Sequence, residues 1–219
     1  MKDVAREDYL KYLFELEQEQ PGKDVPAGDL ANVVGVTAGT ATTMVKKLHE
    51  AGLVVHRPYK GVRLTRKGRT AAVRILRRHR IMELFLVEVV GIDWADVHGE
   101  AEQLEHAVTD LLLERIDEML GFPRVDPHGD PIPDRHGAME RPDLTRLVDC
   151  EPGKLYRIAR VLDEAAEFLR YLGSKGLKPG TSIRLETISQ PADSVELRPE
   201  GGEAVTIGLN AAGKLLVEE

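Results

Sequence analysis

The pattern that most constrains the fold is a pair of short helices followed by a β-hairpin near the N-terminus. Apolar spacing predicts a helix over residues 27–34 and a second over 37–48, for which Thr37 is the N-cap. The runs 53–56 and 62–65 are β-prone and enclose a turn that contains proline and glycine. This order of elements predicts a winged helix-turn-helix.

The second helix of this pattern is the one expected to read DNA. Its first turns are small and hydroxyl-rich, so the helix can approach DNA closely, although Thr37 also suits a purely capping role. Cations in the hairpin turn would contact phosphates without regard to sequence. The predicted DNA-binding residues are Thr37, Gly39, Thr40, Thr42, Thr43, Lys46, Lys47, Arg57, Tyr59 and Lys60.

The distribution of charge favours a nucleic-acid partner although the net charge is −7. Residues 1–80 carry 16 Lys and Arg against 9 Asp and Glu, whereas residues 81–219 carry 14 against 28. A polyanion would therefore meet the first third of the chain and avoid the rest. The alternative interpretation is a solvated basic helix face.

Helical periodicity continues beyond the hairpin and then gives way to strands. We predict one helix over 65–90 and another from Asp93 to about Leu120, followed by an irregular, Pro- and Gly-rich linker over 123–152. From Lys154 onwards, the alternating runs 155–158, 182–185, 195–197 and 204–207 predict the strands of a small β-barrel, with one helix inserted over 164–172.

Histidine and glutamate recur on the two long predicted helices at spacings of one turn. They are His79, Glu83, His98, Glu102, Glu105 and His106. Residues four apart share a helix face, so these side chains form a candidate site for one or two divalent cations. The alternative is that they face solvent on charged helices, with His79 a DNA contact.

The chain resembles the diphtheria-toxin-repressor family of metal-dependent regulators. The resemblance runs through residues 6–12, 37–53 and 68–90, the sequence HGEAEQLEH over 98–106 and the loop PHGDPIP over 127–133. It implies a mainly α fold with a winged helix-turn-helix domain, a helical dimerisation domain and a small C-terminal SH3-like β-barrel. The implied divisions are a DNA-binding domain over 1–73, a metal-binding and dimerisation domain over 74–140, a linker over 141–152 and an SH3-like domain over 153–219.

The resemblance also implies two metal sites. The primary site would be formed by Asp8, Glu102, Glu105 and His106. The second site would be formed by His79, Glu83 and His98. Iron-sensing members of the family have methionine and cysteine at two of these positions. This chain has the carboxylates Asp8 and Glu102 there, as in manganese-sensing members. Because oxygen and imidazole donors suit Mn²⁺, we expect Mn²⁺ as the effector, with Fe²⁺ as the alternative.

Two further features bear on these sites. Lys11 stands where manganese-sensing members carry a second carboxylate, and a cation there opposes a tightly bridged metal pair unless it points away. The C-terminal domain of some members donates ligands, for which Asp163, Glu164 and Glu167 are the candidates here. Their alternative role is the polar face of a short helix.

The expected function is a metal-dependent repressor, manganese-dependent in the first instance, that binds double-stranded operator DNA as a homodimer and controls metal-homeostasis genes. Metal binding would relieve repulsion among the clustered carboxylates and fix the DNA-binding domain. An iron-responsive regulator and a winged-helix regulator of an organic ligand are the alternatives. A metal-dependent hydrolase is not expected, because no further catalytic motif is present.

Apolar side chains on the helices exceed what one small core needs and predict a two-fold dimer contact. They include Leu84, Phe85, Val89, Leu104, Val108 and Leu111. The charged N-terminus and the lack of a long apolar run predict a cytoplasmic protein without a membrane partner.

Overall fold

The structure is a computed structural model that describes residues 4–58, 60–140 and 142–219. Tyr59, one of the predicted DNA contacts, lies outside the described residues. The chain divides into two compact units. The first unit contains residues 1–79, 102–113 and 133–138, and the second contains 80–101, 114–132 and 139–219.

Helices dominate the first two thirds of the chain and strands the last third. The α-helices are α1 (Val4–Glu19), α2 (Ala27–Val34), α3 (Ala38–Glu50), α4 (Arg66–Phe85), α5 (Val97–Glu105), α6 (Asp110–Met119), α7 (Ala166–Ser174) and α8 (Leu209–Ala212). The strands are β1 (Val54–Arg57), β2 (Gly61–Leu64), β3 (Thr145–Arg146), β4 (Leu155–Val161), β5 (Ser182–Ser189), β6 (Ser194–Pro199), β7 (Val205–Gly208) and β8 (Leu215–Glu218). A π-helical turn, Leu86–Val90, follows α4, and a 3₁₀ turn, Leu147–Asp149, follows β3.

The first unit contains the predicted winged helix-turn-helix. The Thr37 hydroxyl caps α3 by accepting a hydrogen bond from the Thr40 N–H at 3.3 Å. Strands β1 and β2 pair antiparallel with Val54 opposite Leu64, and Val25 adds one bridge to β2 at Val62. The predicted elements of this domain are confirmed.

Helix α1 is tied to the wing by a buried carboxylate. Glu17 accepts a hydrogen bond from the Leu64 N–H at 2.6 Å and forms an ion pair with Arg69 at the start of α4. The apolar face of α1, which includes Leu10, Leu13 and Phe14, is buried. The position of α1 therefore determines that of the wing.

The helix predicted from Asp93 to about Leu120 is wrong in one respect. The chain forms two helices there, α5 and α6, separated by residues 106–109. Thr109 marks the second start, because its hydroxyl accepts a hydrogen bond from the Leu112 N–H at 3.3 Å. The break sets His106 just beyond the end of a helix.

The second unit has a six-stranded antiparallel sheet in the order β3-β8-β4-β5-β6-β7. Apolar residues that alternate along the strands form one core with α7 and with Trp94. The sequence patterns predicted four of these strands and missed β3 and β8, of which β3 has only two residues.

The segment predicted as an irregular linker is ordered in its first part. Asp126 is buried and accepts hydrogen bonds from the N–H groups of His128 and Asp130, at 2.8 and 2.9 Å. Asp130 in turn pairs with Arg80 and Arg160 at 2.8 and 2.7 Å. Two buried carboxylates therefore organise this loop in place of regular secondary structure.

No helix within the described ranges is long and apolar enough to cross a membrane.

Gly68, near the start of α4, allows a close approach of two backbone segments. A Cβ atom at this position would lie 1.9 Å from the Leu53 carbonyl oxygen. We predict that Gly68→Ala lowers the free energy of unfolding by about 2 kcal/mol or more, because backbone must move to admit the methyl group. Urea unfolding monitored by circular dichroism measures this effect.

Gly28→Ala is the matched control. Gly28 is also helical, and among the described residues no atom of another element lies within 4 Å of where its methyl group would stand. This variant should be neutral or up to about 1 kcal/mol more stable, because alanine favours the helix. Equal stabilities for the two variants would contradict the close approach at Gly68.

Candidate metal centre

Three predicted ligands of the primary site come together in the first unit. Asp8 lies on α1, Glu105 is the last residue of α5 and His106 follows it. Each offers a donor atom, and these atoms lie within 4.8 Å of one another. The His106 Nε2 atom is 2.8 Å from Asp8 Oδ1 and 3.4 Å from Glu105 Oε1. We refer to Asp8, Glu105 and His106 as the primary cluster.

The His106 ring is oriented by a residue that the sequence did not single out. Its Nδ1 atom lies 2.8 Å from the Glu7 carboxylate, on the first turns of α1. With Nδ1–H donating to Glu7, Nε2 is the nitrogen available as a ligand. The side chain of His106 is only 10% exposed, so this orientation is held in a largely closed site.

Glu105 is fully buried and has cationic or neutral donors on both carboxylate oxygens. Lys11 Nζ lies 3.0 Å from Oε1 and 3.1 Å from Oε2, and His79 Nδ1 lies 2.5 Å from Oε2. The expected repulsion among carboxylates is therefore offset by the chain itself. His79 was predicted for the second site, and a ligand role there remains a prediction.

Glu102, the fourth predicted ligand, faces the same part of α1. It accepts a hydrogen bond from the Tyr12 hydroxyl and lies 3.5 Å from Lys11 Nζ. Its side chain is 36% exposed, unlike that of Glu105. Glu102 thus borders the primary cluster from the solvent side.

Burial and charge shift the pKa values of this region. Burial raises the pKa of Asp8, although His106 and Lys11 act in the opposite direction. Burial alone would lower the pKa of Lys11, but the Glu105 and Glu102 carboxylates outweigh it and raise that pKa. Burial and the Glu102 carboxylate also raise the pKa of Tyr12. Lys11 therefore carries a positive charge and Tyr12 remains a hydrogen-bond donor.

A second group lies within the second unit. Glu83, His128 and Glu164 offer donor atoms within 4.8 Å of one another, and His98 Nδ1 lies 3.2 Å from Glu83 and 3.5 Å from Glu164. We refer to Glu83, His98, His128 and Glu164 as the second cluster. Burial and the Glu83 carboxylate raise the pKa of Glu164, as expected where acidic groups crowd together.

His128 carries the clearest sign of an unfilled bonding position. The ring is fully buried and its Nε2 atom lies 2.9 Å from the Trp94 carbonyl oxygen, whereas its Nδ1 atom has no hydrogen-bond partner among the described residues. A carboxylate oxygen of Glu83 lies 4.0 Å from this Nδ1 atom. Buried ring nitrogens are rarely left in this state, so a ligand position is a natural explanation.

The loop that presents His128 is fixed by a glycine. A Cβ atom on Gly129 would lie 1.9 Å from the Ala159 carbonyl oxygen, and the residue has a φ of +88°. From the sequence alone, the loop PHGDPIP contributes only to the family resemblance, and His128 is missed as a candidate ligand. The signal was a histidine inside a loop rich in rigid and acidic residues.

Of the three candidates from the C-terminal domain, only Glu164 joins the second cluster as defined above. Asp163 pairs with Lys214 at 2.7 Å and accepts a hydrogen bond from the Ala165 N–H, and these bonds lower its pKa. Glu167 lies exposed in the first turn of α7. Of these three neighbouring acidic residues, Glu164 is therefore the candidate ligand, Asp163 forms an ion pair and Glu167 is exposed.

The predicted DNA contacts that the structure describes lie at the start of α3, along α3 and on the wing. Lys46, Lys47 and Lys60 are exposed. The Thr42 and Thr43 hydroxyls donate to the backbone carbonyls four residues earlier, at 2.7 and 2.9 Å. Because both hydroxyls bond within the helix, α3 presents mainly methyl groups and small side chains from these positions.

The wing cation Arg57 already forms an ion pair within the chain. Its guanidinium lies 3.0 Å from Asp24, which also pairs with Arg63 at 2.8 Å. Asp24 reduces the charge that Arg57 offers to a phosphate.

Comparison with known proteins agrees with this architecture. Residues 4–62 match the N-terminal DNA-binding domain of the iron dependent repressors, 65–134 match their metal binding and dimerisation domain, and 145–219 match the FeoA domain. The iron-dependent repressor IdeR of Mycobacterium leprae is 28% identical over 97% of this chain and 96% of its own length. The diphtheria toxin repressor of Corynebacterium efficiens is 30% identical, with 84% of each chain covered.

Two solved structures are similar over nearly the whole chain. A manganese-dependent transcriptional repressor in complex with manganese is 40% identical, with a TM-score of 0.85, and the match covers 97% of this chain and 98% of that one. The chain belongs to the iron-dependent repressor family. A second structure, IdeR of T. acidophilum, is 30% identical with a TM-score of 0.74, covering 96% of each chain.

Membership confirms the predicted resemblance and the fold class, including the C-terminal SH3-like domain. The chain is a metal-dependent transcriptional repressor of this family.

Proposed function

We propose that this iron-dependent repressor homologue responds to Mn²⁺, with Fe²⁺ as the alternative, and has no enzymatic activity. It represses metal-homeostasis genes by binding double-stranded operator DNA as a homodimer. The observation that carries the proposal is the primary cluster, which joins a donor on α1 to donors at the end of α5. The similarity to a manganese-dependent repressor supports the same choice of metal.

The donors of the primary cluster suit a hard divalent cation. Asp8 and Glu105 offer carboxylate oxygens, His106 offers Nε2, and Glu102 borders them with a third carboxylate. Carboxylate and imidazole donors favour Mn²⁺, whereas thiolate and thioether donors favour softer metals. A bound cation would supply two positive charges to this site.

The position of the cluster explains how metal binding favours DNA binding. Asp8 lies on the helix that Glu17 ties to the wing, so whatever fixes α1 also fixes the DNA-reading elements. Glu105 and His106 lie at the end of α5, within the region that matches the dimerisation domain. Coupling of this kind is typically about 1–3 kcal/mol, and reciprocity requires DNA to tighten metal binding equally.

The dimer contact is proposed for the apolar surface of the helical domain. Leu104, Leu111 and Leu112 in the first unit are 38%, 70% and 52% exposed. Val89 is 52% exposed in the second unit. Val108, predicted from the sequence to join this contact, is buried within the chain and does not contribute. Exposed leucines on helices are typical of a two-fold interface.

We also propose a division into four parts: a DNA-binding domain over 1–73, a helical domain over 74–140, a linker over 141–152 and an SH3-like domain over 153–219. The compact units do not follow it, because residues 102–113 and 133–138 belong to the first unit.

The second cluster is proposed as a further site for the same metal. Glu83 and Glu164 supply oxygens, His98 supplies a ring nitrogen, and the buried Nδ1 atom of His128 has no other partner in the part of the chain that the structure describes. This revises the predicted second site by adding His128 to Glu83 and His98, with Glu164 as the ligand predicted from the C-terminal domain. Because Glu164 lies on the segment that connects β4 to α7, its binding to metal would make the SH3-like domain responsive to metal.

The primary cluster is tested by His106→Ala. We expect this variant to lose the roughly 5- to 150-fold increase in operator affinity that Mn²⁺ produces, because one donor is absent. Electrophoretic mobility shifts titrated with Mn²⁺ measure the loss. Glu105→Ala is less suitable, because it leaves the buried Lys11 ammonium without its principal partner and costs about 3–5 kcal/mol in stability.

His136→Ala is the matched control for this test. His136 is an exposed histidine in the first unit and belongs to neither cluster. It should retain the full response to Mn²⁺. A response that survives in His106→Ala while circular dichroism shows an intact fold would refute the assignment of the primary cluster.

The second cluster is tested by Glu164→Gln, which removes one charged donor from a partly exposed position. Equilibrium dialysis with Mn²⁺ should show one class of sites weakened by about tenfold or more. Glu167→Gln, an exposed acidic residue on the adjoining helix, is the control and should bind Mn²⁺ as the parent does. Identical binding curves for the two variants would exclude Glu164 as a ligand.

A further inference from the structure

Lys11 is a buried cation inside a group of predicted metal ligands. Its side chain is 1% exposed, and its ammonium bonds both oxygens of Glu105 and lies 3.5 Å from Glu102. An ammonium group has three donors and no lone pair, so it cannot itself coordinate a metal. A lysine in this position needs an explanation other than ligation.

The contacts of Lys11 identify what it replaces. Two cations in one centre are normally held together by carboxylates that contact both of them. Glu105 belongs to the primary cluster and Glu102 borders it, so these two carboxylates are placed for such sharing, and Lys11 contacts both. The ammonium therefore occupies carboxylate oxygens that a second divalent ion would need as ligands.

The charge balance leads to the same conclusion. Lys11 places a positive charge, only 1% exposed, beside Glu102 and Glu105. A second divalent cation on these carboxylates would stand next to that ammonium and be repelled by it. Burying uncompensated charge is strongly unfavourable.

We propose that Lys11 is a built-in cation that limits the primary cluster to one divalent ion. This inference rests on the proposed function of the primary cluster and adds its stoichiometry. Lys11 acts as a specificity-determining residue in two ways: it excludes a second ion, and its charge weakens the binding of the first. The metal concentration at which the repressor responds is then determined in part by one side chain of α1.

The test compares the full chain with Lys11→Glu, both carrying Glu164→Gln to weaken the second cluster. Equilibrium dialysis gives the number of Mn²⁺ ions per chain, and electron paramagnetic resonance distinguishes isolated Mn²⁺ from two coupled ions. The parent should bind one ion in the primary cluster with the spectrum of isolated Mn²⁺. Lys11→Glu should bind two, with the broadened spectrum of a coupled pair.

A second variant covers the case in which Lys11→Glu does not fold. Lys11→Met keeps the length of the side chain and removes its charge, so this variant should bind its first Mn²⁺ about tenfold more tightly than the parent does. Tyr12→Phe is the matched control, because it removes the other contact of α1 with Glu102 without changing charge. It should leave stoichiometry unchanged and alter affinity less than Lys11→Met does.

The outcomes separate this inference from the proposed function. Two coupled ions in the parent, or one isolated ion in a folded Lys11→Glu variant, would overturn the role of Lys11. Unchanged or weaker Mn²⁺ binding in Lys11→Met would also overturn it. If no bound ion is lost from the parent on His106→Ala, the primary cluster itself is wrongly assigned.

Discussion

The arrangement of the first unit depends on how one buried carboxylate is balanced. Glu105 is fully buried, and a lone carboxylate in that position would be strongly destabilising. The chain meets this cost with Lys11 from α1 and His79 from α4, both within hydrogen-bond distance. The same carboxylate is a proposed metal ligand. One group therefore connects the packing of three helices with the proposed response to metal.

This balance changes the physical picture of how the repressor would switch. Repulsion among unpaired carboxylates does not hold α1 and α5 apart, because Lys11 of α1 already contacts Glu102 and Glu105 of α5. The proposed switch is instead an added link from Asp8 to His106, next to an existing link from Lys11 to Glu105. Glu17 then relates the position of α1 to the wing through Leu64. In the proposed switch, the free energy of metal binding would act on the DNA-reading elements through these short contacts.

The sequence predicted the fold more completely than the sites. The helix-turn-helix, the wing and most of the C-terminal strands follow local patterns of periodicity and turns, and they are confirmed. The break between α5 and α6 was missed because residues 106–109 keep the helical spacing of apolar side chains on either side. His128 was missed because its role depends on a loop folded around Asp126, a long-range arrangement without local periodicity. Lys11 could be recognised as unusual from the sequence, but the direction in which its side chain points could not be predicted.

Asp8, Glu105 and His106 are proposed to close around one divalent cation. A crystal structure of the full chain grown with Mn²⁺, with anomalous diffraction recorded at the manganese absorption edge, would locate that cation. We expect one anomalous peak within coordination distance of all three side chains, with the Lys11 ammonium still in contact with Glu105. Anomalous density elsewhere and none among these three residues would refute the proposed site.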